Sequence, residues 1–123
     1  MAGYELRKFF DGNIAASSTV TLITVPAGHR YTIKQCGTAI THNATGQKTY
    51  IRVNGNKLAA YETNGVGENI RDWTGYNNNT ELQSSAVIGA IGNLTLEPGD
   101  VLSIVNPSNA AGTGYVSGVD FTI

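Results

Sequence analysis

The sequence predicts an all-β domain, a jelly-roll-like sandwich of two antiparallel sheets with about eight or nine strands. Apolar and polar residues alternate repeatedly with a period of two, and a sustained period of 3.6 is absent. Gly, Asn, Ser and Thr are abundant while strong helix formers are sparse, a mixture that disfavours helices. Turn signals recur at spacings of about ten residues, which is typical of a sandwich or a small barrel.

The N-terminal half contains predicted strands at residues 4–10, 19–25, 30–36, 49–53 and 57–61. The first ends at the turn signal Asp11-Gly12-Asn13, and the second is a β-branched run that stops at Pro26-Ala27-Gly28. In the third, Tyr31 and Ile33 face one side while their neighbours face the other. The last two strands flank Asn54-Gly55, the strongest short hairpin signal in the sequence.

The middle of the chain, residues 62–76, is less regular. Loops are predicted at residues 64–67 and 75–79, and Ile70 and Trp73 are expected to pin the segment between them. Alternation returns in the C-terminal part, where strands are predicted at residues 84–91, 94–96, 101–105 and 115–123. The turn Glu97-Pro98-Gly99-Asp100 precedes the third of these. The apolar positions of the closing strand include Val119 and Phe121, and we expect Phe121 to be buried in the core.

The chain is predicted to form a single domain. Its 123 residues contain no linker, repeat or low-complexity tail, and this length is enough for one hydrophobic core. Cys36 is the only cysteine, so no internal disulfide can form. Residues 19–123 are assigned to the sandwich. Residues 1–18 are either an arm that adds a strand to a neighbouring subunit or the ordinary first strand of this domain.

Composition argues against several classes of partner. Charged residues make up 14% of the chain and the net charge is −1, so the surface has no long-range field to attract nucleic acid or an anionic membrane. The apolar runs are too short to cross a bilayer. The first five residues lack the basic and apolar segments of a secretory signal, so export is not implied.

The sequence offers no catalytic, metal or cofactor site, and the chain is predicted not to be an enzyme. His29 and His42 lie in or beside predicted turns without ligand spacing, which favours solvated loop histidines. Cys36 ends a predicted strand, which favours a buried small apolar residue. Four carboxylates cluster in the loop-rich segment 62–81, and surface charge, a cation site and a glycan site all remain open. They are Glu62, Glu68, Asp72 and Glu81.

Aromatic residues are the candidate contact residues. These are Tyr4, Phe9, Phe10, Trp73 and Tyr76. Phe9 and Phe10 are adjacent, so on a regular strand they point to opposite faces. Trp73 and Tyr76 fall in the loop-rich segment, where they either cover one end of the sandwich, anchor an interface, or stack on sugar rings.

Two segments resemble a recurrent pattern in small virion proteins of tailed bacteriophages. The first is Thr21-Leu22-Ile23-Thr24-Val25-Pro26-Ala27-Gly28, followed by the strand from Arg30. The second is Leu94-Thr95-Leu96-Glu97-Pro98-Gly99-Asp100-Val101-Leu102-Ser103-Ile104, with the closing segment Tyr115-Val116-Ser117-Gly118-Val119-Asp120-Phe121. The similarity covers most of the chain but not residues 64–79, and it is a pattern of strands and turns rather than an active-site signature.

The resemblance implies a head decoration (cement) protein, or a small tail or neck appendage protein, built on a β-sandwich and commonly trimeric. The leading hypothesis is a cement protein, made in the host cytoplasm and located in the virion, that binds the major capsid protein or other virion proteins. The alternative is a tail or neck appendage domain that binds a host receptor or glycan. A hydrolase on a sandwich scaffold is the third hypothesis, and it would use Glu68 or Asp72. Neither nucleic acid nor membrane is an expected partner.

Overall fold

A computed structural model describes residues 3–74, the backbone of 84–88, and residues 91–123. These residues form ten β-strands and no helix, so none of the described elements is a helix that could span a membrane. The strands are β1 (Tyr4–Ile14), β2 (Ser18–Thr24), β3 (His29–His42), β4 (Lys48–Val53), β5 (Asn56–Thr63), β6 (Gly67–Asp72), β7 (Ser84–Ile88), β8 (Thr95–Leu96), β9 (Val101–Asn106) and β10 (Gly112–Thr122).

The strands form two antiparallel sheets with jelly-roll connectivity. Sheet A has the order β1-β10-β3-β6, with β8 also paired to β3, and sheet B has the order β2-β9-β4-β5-β7. Pairing β1 with β10, β2 with β9, β3 with β6 and β4 with β5 describes a long ribbon folded back on itself and rolled into two layers. The predicted fold class is confirmed.

Strand β6 lies between the two predicted loops, where the sequence analysis predicted no strand. The first loop, residues 64–67, ends where β6 begins, and the second, residues 75–79, lies outside the described residues. The polarity of β6 is inverted: Asn69 and Arg71 are buried, whereas Ile70 is exposed on the outer side. Pairing with β6 also extends β3 to His42, because residues 37–42 of β3 find their partners there. An alternating pattern with polar residues inside does not read as a strand from hydrophobicity alone.

Residues 4–14 form the first strand of sheet A rather than a detached arm, and they pair with β10 along their length. The predicted turn at Asp11-Gly12-Asn13 is wrong because these residues continue the ladder as far as Ile14. The register shifts between Lys8 and Phe10, which is a β-bulge.

The bulge explains the two adjacent phenylalanines. Phe9 and Phe10 both pack against the core, so the expectation that they point to opposite faces is wrong. An extra residue in the strand breaks strict alternation and allows neighbouring side chains to turn the same way. Phe9 stacks on Tyr31 of β3 with ring centroids 4.2 Å apart.

The hairpin between β4 and β5 is confirmed. Asn54 and Gly55 have φ values of 52° and 81°, as a two-residue primed turn requires. The Asn54 side chain also binds the turn before β9. Its Nδ2 donates to Asp100 Oδ1, and its Oδ1 accepts from the Val101 backbone amide, both at 2.9 Å. These bonds connect the turn between β4 and β5 to the turn that precedes β9.

Glycines occupy several of the inward-facing positions of the closing strand β10. Its buried positions include Gly114, Val116, Gly118 and Asp120, while Phe121 is only partly buried on the outer side. The expectation of a core position for Phe121 is therefore wrong. Small residues are needed inside because neighbouring strands approach closely. A Cβ atom at Gly118 would lie 2.0 Å from the carbonyl oxygen of Thr32.

A buried polar cluster closes one end of the sandwich. His42 is fully buried, with Nδ1 3.0 Å from Gln47 Oε1 and Nε2 2.9 Å from the Tyr61 hydroxyl. A neutral imidazole fits both partners, since Nδ1–H donates to Gln47 and Nε2 accepts from Tyr61. Burial lowers the pKa of His42 below its ordinary value and raises the pKa of Tyr61 to about 12. The expectation of a solvated loop histidine is wrong here.

Gly118→Ala should lower the free energy of unfolding by about 3 kcal/mol or more, because its added methyl group meets backbone atoms rather than a flexible side chain. Gly37→Ala is the matched control on the adjacent strand, since its Cβ would lie 3.8 Å from the nearest atom. Denaturant titration measures both. Equal midpoints for the two variants would show that β10 and β3 do not approach as described.

Stability should fall at acid pH through His42. The native state holds this imidazole neutral with a lowered pKa, so below pH 6.5 the unfolded state binds more protons. The contribution of neutral His42 is fully present above pH 6.5 and is lost as the pH falls through the lowered value. Urea midpoints between neutral pH and about pH 5 measure this. His42→Gln should flatten the decline. An unchanged decline in the His42 variant would contradict the assignment.

Candidate contact face on sheet A

The outer side of sheet A carries an exposed apolar cluster at the start of β1. Cross-strand pairing places Tyr4 opposite Phe121 and Leu6 opposite Val119. Tyr4 and Leu6 are 75% and 81% exposed, and the rings of Tyr4 and Phe121 lie 6.3 Å apart. Opposed residues of an antiparallel pair share one face, so the four side chains are neighbours. We call Tyr4, Leu6, Val119 and Phe121 the apolar cluster.

The same side of sheet A carries an open groove next to the cluster. The groove has a volume of about 630 Å³ and includes Tyr115, Gly37 and Ala39 on adjacent strands. A second depression, which reaches Leu6, shares Tyr115 with the groove. The apolar cluster and the groove therefore form one continuous face. Both depressions also share Lys34 and Gln35.

The outer side of sheet B has a different character. Tyr50 lies there between two cations, with Arg52 Cζ 5.6 Å and Lys57 Nζ 4.3 Å from its ring centroid. These contacts cover the ring with charged groups. Leu58, at 39% exposure, is the exposed large apolar residue of strand β5. Among the side chains that the structure describes, apolar exposure is thus concentrated on sheet A.

A buried carboxylate fixes β1 beneath the cluster. Asp120, 3% exposed, accepts from Arg7 Nε at 3.0 Å and lies 2.7 Å from His29 Nδ1. Each of its oxygens thus has one partner, one from β1 and one from β3. Arg7 also pairs with Glu5 on its own strand. A buried carboxylate needs such partners because the charged form is costly to desolvate.

The His29–Asp120 pair has the orientation of a histidine held by a carboxylate in a hydrolase. In the described part of the chain, however, no hydrogen bond joins His29 to a serine, threonine or cysteine. His29 begins β3 and is bonded to Asp120, so the expectation of a solvated loop histidine is wrong for it as well. The arrangement observed here anchors strands.

The thiol and the carboxylates show no metal or nucleophile arrangement among the described residues. Cys36 is buried as expected, and burial raises the pKa of its thiol to about 12, which keeps it protonated at neutral pH. No group of three or more histidine, cysteine, aspartate or glutamate side chains that could hold a metal ion occurs within residues 3–74 and 91–123.

The four candidate carboxylates of the middle segment differ in position. Glu62 lies on β5 and is half-buried, whereas Glu68 lies exposed on β6. Asp72 Oδ1 accepts from the amide and hydroxyl of Thr74 at 2.9 and 2.6 Å. Glu81 lies outside the described residues, and with it part of the candidate cation or glycan segment.

The predicted contact residues separate into three groups. Tyr4 lies in the apolar cluster, and Phe9 and Phe10 pack on the core. Trp73 is fully buried, with Nε1 donating to Thr38 Oγ1 at 2.9 Å, so its assignment as a contact residue is wrong. It packs against the core because β6 carries the chain back beside β3, where the Trp73 amide donates to the Cys36 carbonyl. Tyr76 lies outside the described residues.

Sequence analysis did not select Leu6, Val119 or Tyr115 as contact residues. A signal was present: the residues that alternate with Leu6 and Val119 are charged or glycine, namely Glu5, Arg7, Gly118 and Asp120. Two paired strands that each carry apolar groups on only one side would normally turn that side inward. Here the polar side is turned inward instead, because the buried Asp120 has Arg7 and His29 as its partners.

Comparisons with protein-family models, curated proteins and solved structures found no match to this chain.

Proposed function

We propose that this chain is a non-enzymatic structural virion protein, a decoration (cement) protein that binds and stabilises the head of a tailed bacteriophage. The observation that carries the proposal is the apolar cluster, whose Tyr4 and Leu6 are 75% and 81% exposed on the outer side of sheet A. Exposed apolar patches of this kind mark protein contact sites on soluble domains. The partner is the major capsid protein or another virion protein.

The scaffold supports this role. Rolling the ribbon into two layers gives a stiff body in which both edges of β10 are paired, one with β1 and the other with β3. Jelly rolls recur in viral capsid and lectin domains, which favours the proposal by analogy of fold only. The resemblance of the two sequence segments to small virion proteins points the same way.

The size of the cluster argues for binding in several copies. Burying one large apolar side chain contributes about 1.5–3 kcal/mol, so the two largely exposed members of the cluster, Tyr4 and Leu6, contribute about 3–6 kcal/mol. Association costs about 4–15 kcal/mol in lost freedom of motion. A single cluster therefore gives weak binding. An assembly of several copies raises the effective concentration at the shell and makes binding tight without new contacts.

The purified protein should sediment with undecorated phage capsids. Phe121→Ser should weaken this binding by about 10- to 100-fold, because about 1.4 kcal/mol corresponds to a factor of ten. Leu58→Ser, on the opposite sheet, is the matched control and should bind like the parent. Protein that stays wholly in the supernatant, or binding lost with Leu58→Ser and kept with Phe121→Ser, would contradict the proposal. Circular dichroism checks that both variants fold.

The groove favours a second candidate function, a tail or neck appendage domain that binds a neutral glycan. Tyr115 is 39% exposed and offers a ring on which the C–H face of a sugar can pack. Asp11 and Asp72 line the same groove and can accept bonds from sugar hydroxyls, while Lys8 and Lys34 offset their charge. A charge-balanced lining suits a neutral polyhydroxyl ligand better than a phosphate.

Titration calorimetry with a panel of neutral gluco-, galacto- and manno-oligosaccharides tests this second candidate. Tyr115→Ala should abolish the heat of binding, and Tyr50→Ala, on the outer side of sheet B, should leave it unchanged. Quenching of tryptophan fluorescence is a poor readout because Trp73 is buried. Absence of heat across the panel, or equal loss in both variants, would remove the candidate.

A further inference from the structure

We infer that the free edge of β1 pairs antiparallel with β1 of a second copy of this chain, centred on Leu6. The pairing would continue sheet A from one subunit into the next across a twofold axis. It does not depend on the proposed virion role, because it concerns only how two copies of this chain associate.

The edge is long and open. Among the described residues β1 pairs with β10 alone, and residues 4–8 are all exposed. The Gly3 carbonyl accepts from the Thr122 amide at 2.9 Å, so by alternation Glu5 and Arg7 direct their backbone groups to β10. Tyr4, Leu6 and Lys8 therefore direct their N–H and C=O groups to the free side. Proteins protect such an edge with proline, a covering loop, a very short strand, a β-bulge or charged side chains. Strand β1 has its bulge only after Lys8, and its charged residues Glu5 and Arg7 can pair with each other across a twofold axis.

Backbone geometry limits the possible registers. Antiparallel partners exchange bonds only where both residues direct their groups to the interface. Tyr4, Leu6 and Lys8 of one copy must therefore each face one of these same three residues in the other copy. This condition places the twofold axis on a residue and not between two residues. The bulge after Lys8 ends the regular ladder, so the axis lies within residues 4–8.

Charge then selects one register. An axis at Glu5 opposes two glutamates, and an axis at Arg7 or Lys8 opposes two cations, which is unfavourable between facing residues. An axis at Tyr4 leaves Leu6 and Lys8 without a partner among the described residues. An axis at Leu6 places Glu5 of each copy opposite Arg7 of the other. This register alone brings opposite charges together throughout.

The Leu6 register also matches the side chains on the outer face. Leu6 faces its own symmetry mate, and Tyr4 faces Lys8 of the other copy, whose ammonium can lie against the ring. The two apolar clusters become neighbours on one continuous sheet. Because the same patch is used by both copies, the contact closes at two subunits and does not extend into a fibre.

Cysteine cross-linking tests the register. Leu6→Cys should form a disulfide-linked dimer under mild oxidation, since the opposed residues of a hydrogen-bonded pair have Cα atoms about 5.5 Å apart, within disulfide range. Lys8→Cys is the matched control: it lies on the same edge, but its symmetry mate is four residues away, roughly 13 Å. It should stay unlinked alone and should link when mixed with Tyr4→Cys. Buried Cys36 does not interfere, and the parent protein is the blank.

Sedimentation equilibrium tests the association itself. The parent should be a dimer, and Glu5→Lys should raise the dimer dissociation constant at least tenfold, because it opposes two cations in each half of the interface. Phe121→Ser leaves the edge intact and should remain dimeric, which separates this test from shell binding. A monomeric parent overturns the inference, as does a trimer that is insensitive to Glu5→Lys. Equal cross-linking of Leu6→Cys and Lys8→Cys, or of neither, also overturns it.

Discussion

The close approach of β10 to β1 and β3 is the constraint on which the rest of the structure depends. Inner positions of β10 hold glycine at 114 and 118, where a Cβ would lie 2.8 Å from Ile14 Cδ1 and 2.0 Å from the Thr32 carbonyl oxygen. No large side chain can occupy these two sites. Of the apolar residues of the strand, Val116 packs in the core, whereas Tyr115, Val119 and Phe121 lie on the outer side. The contact face of sheet A is therefore the side of β10 opposite these glycines.

Two buried polar clusters add specific hydrogen bonds to the apolar packing of the core. Asp120 holds β1 and β3 together at one end through Arg7 and His29. At the other end, the Asn106 side chain donates to the carbonyls of Ala15 and Ala110 at 3.2 and 3.0 Å, which fixes the loops there. Each buried group has specific partners, and such groups favour one arrangement of strands over alternatives because misplacing them costs their hydrogen bonds.

The sequence predicted elements whose signal is local and missed those that depend on distant partners. The Asn54-Gly55 hairpin and nine of the ten strands follow from turn residues and alternation. The tenth, β6, is hidden because Asn69 and Arg71 face inward. From the sequence alone Trp73 and His42 are indistinguishable from loop residues. They are buried because β6 brings Trp73 beside β3 and because β5 places Tyr61 against His42. The bulge at Phe9 and the outward turn of Phe121 follow from pairing with β10, which no local pattern encodes.

The contact face and the free edge have a common origin in the position of β1. As the outermost strand of sheet A, β1 contributes half of the apolar cluster and also leaves one row of backbone groups without partners among the described strands. A monomer would leave both exposed. A paired edge satisfies the backbone and places two apolar clusters side by side, so the area available to a shell protein grows without any change in the fold. The weak affinity of one cluster then becomes sufficient, because two clusters held rigidly together bind as one.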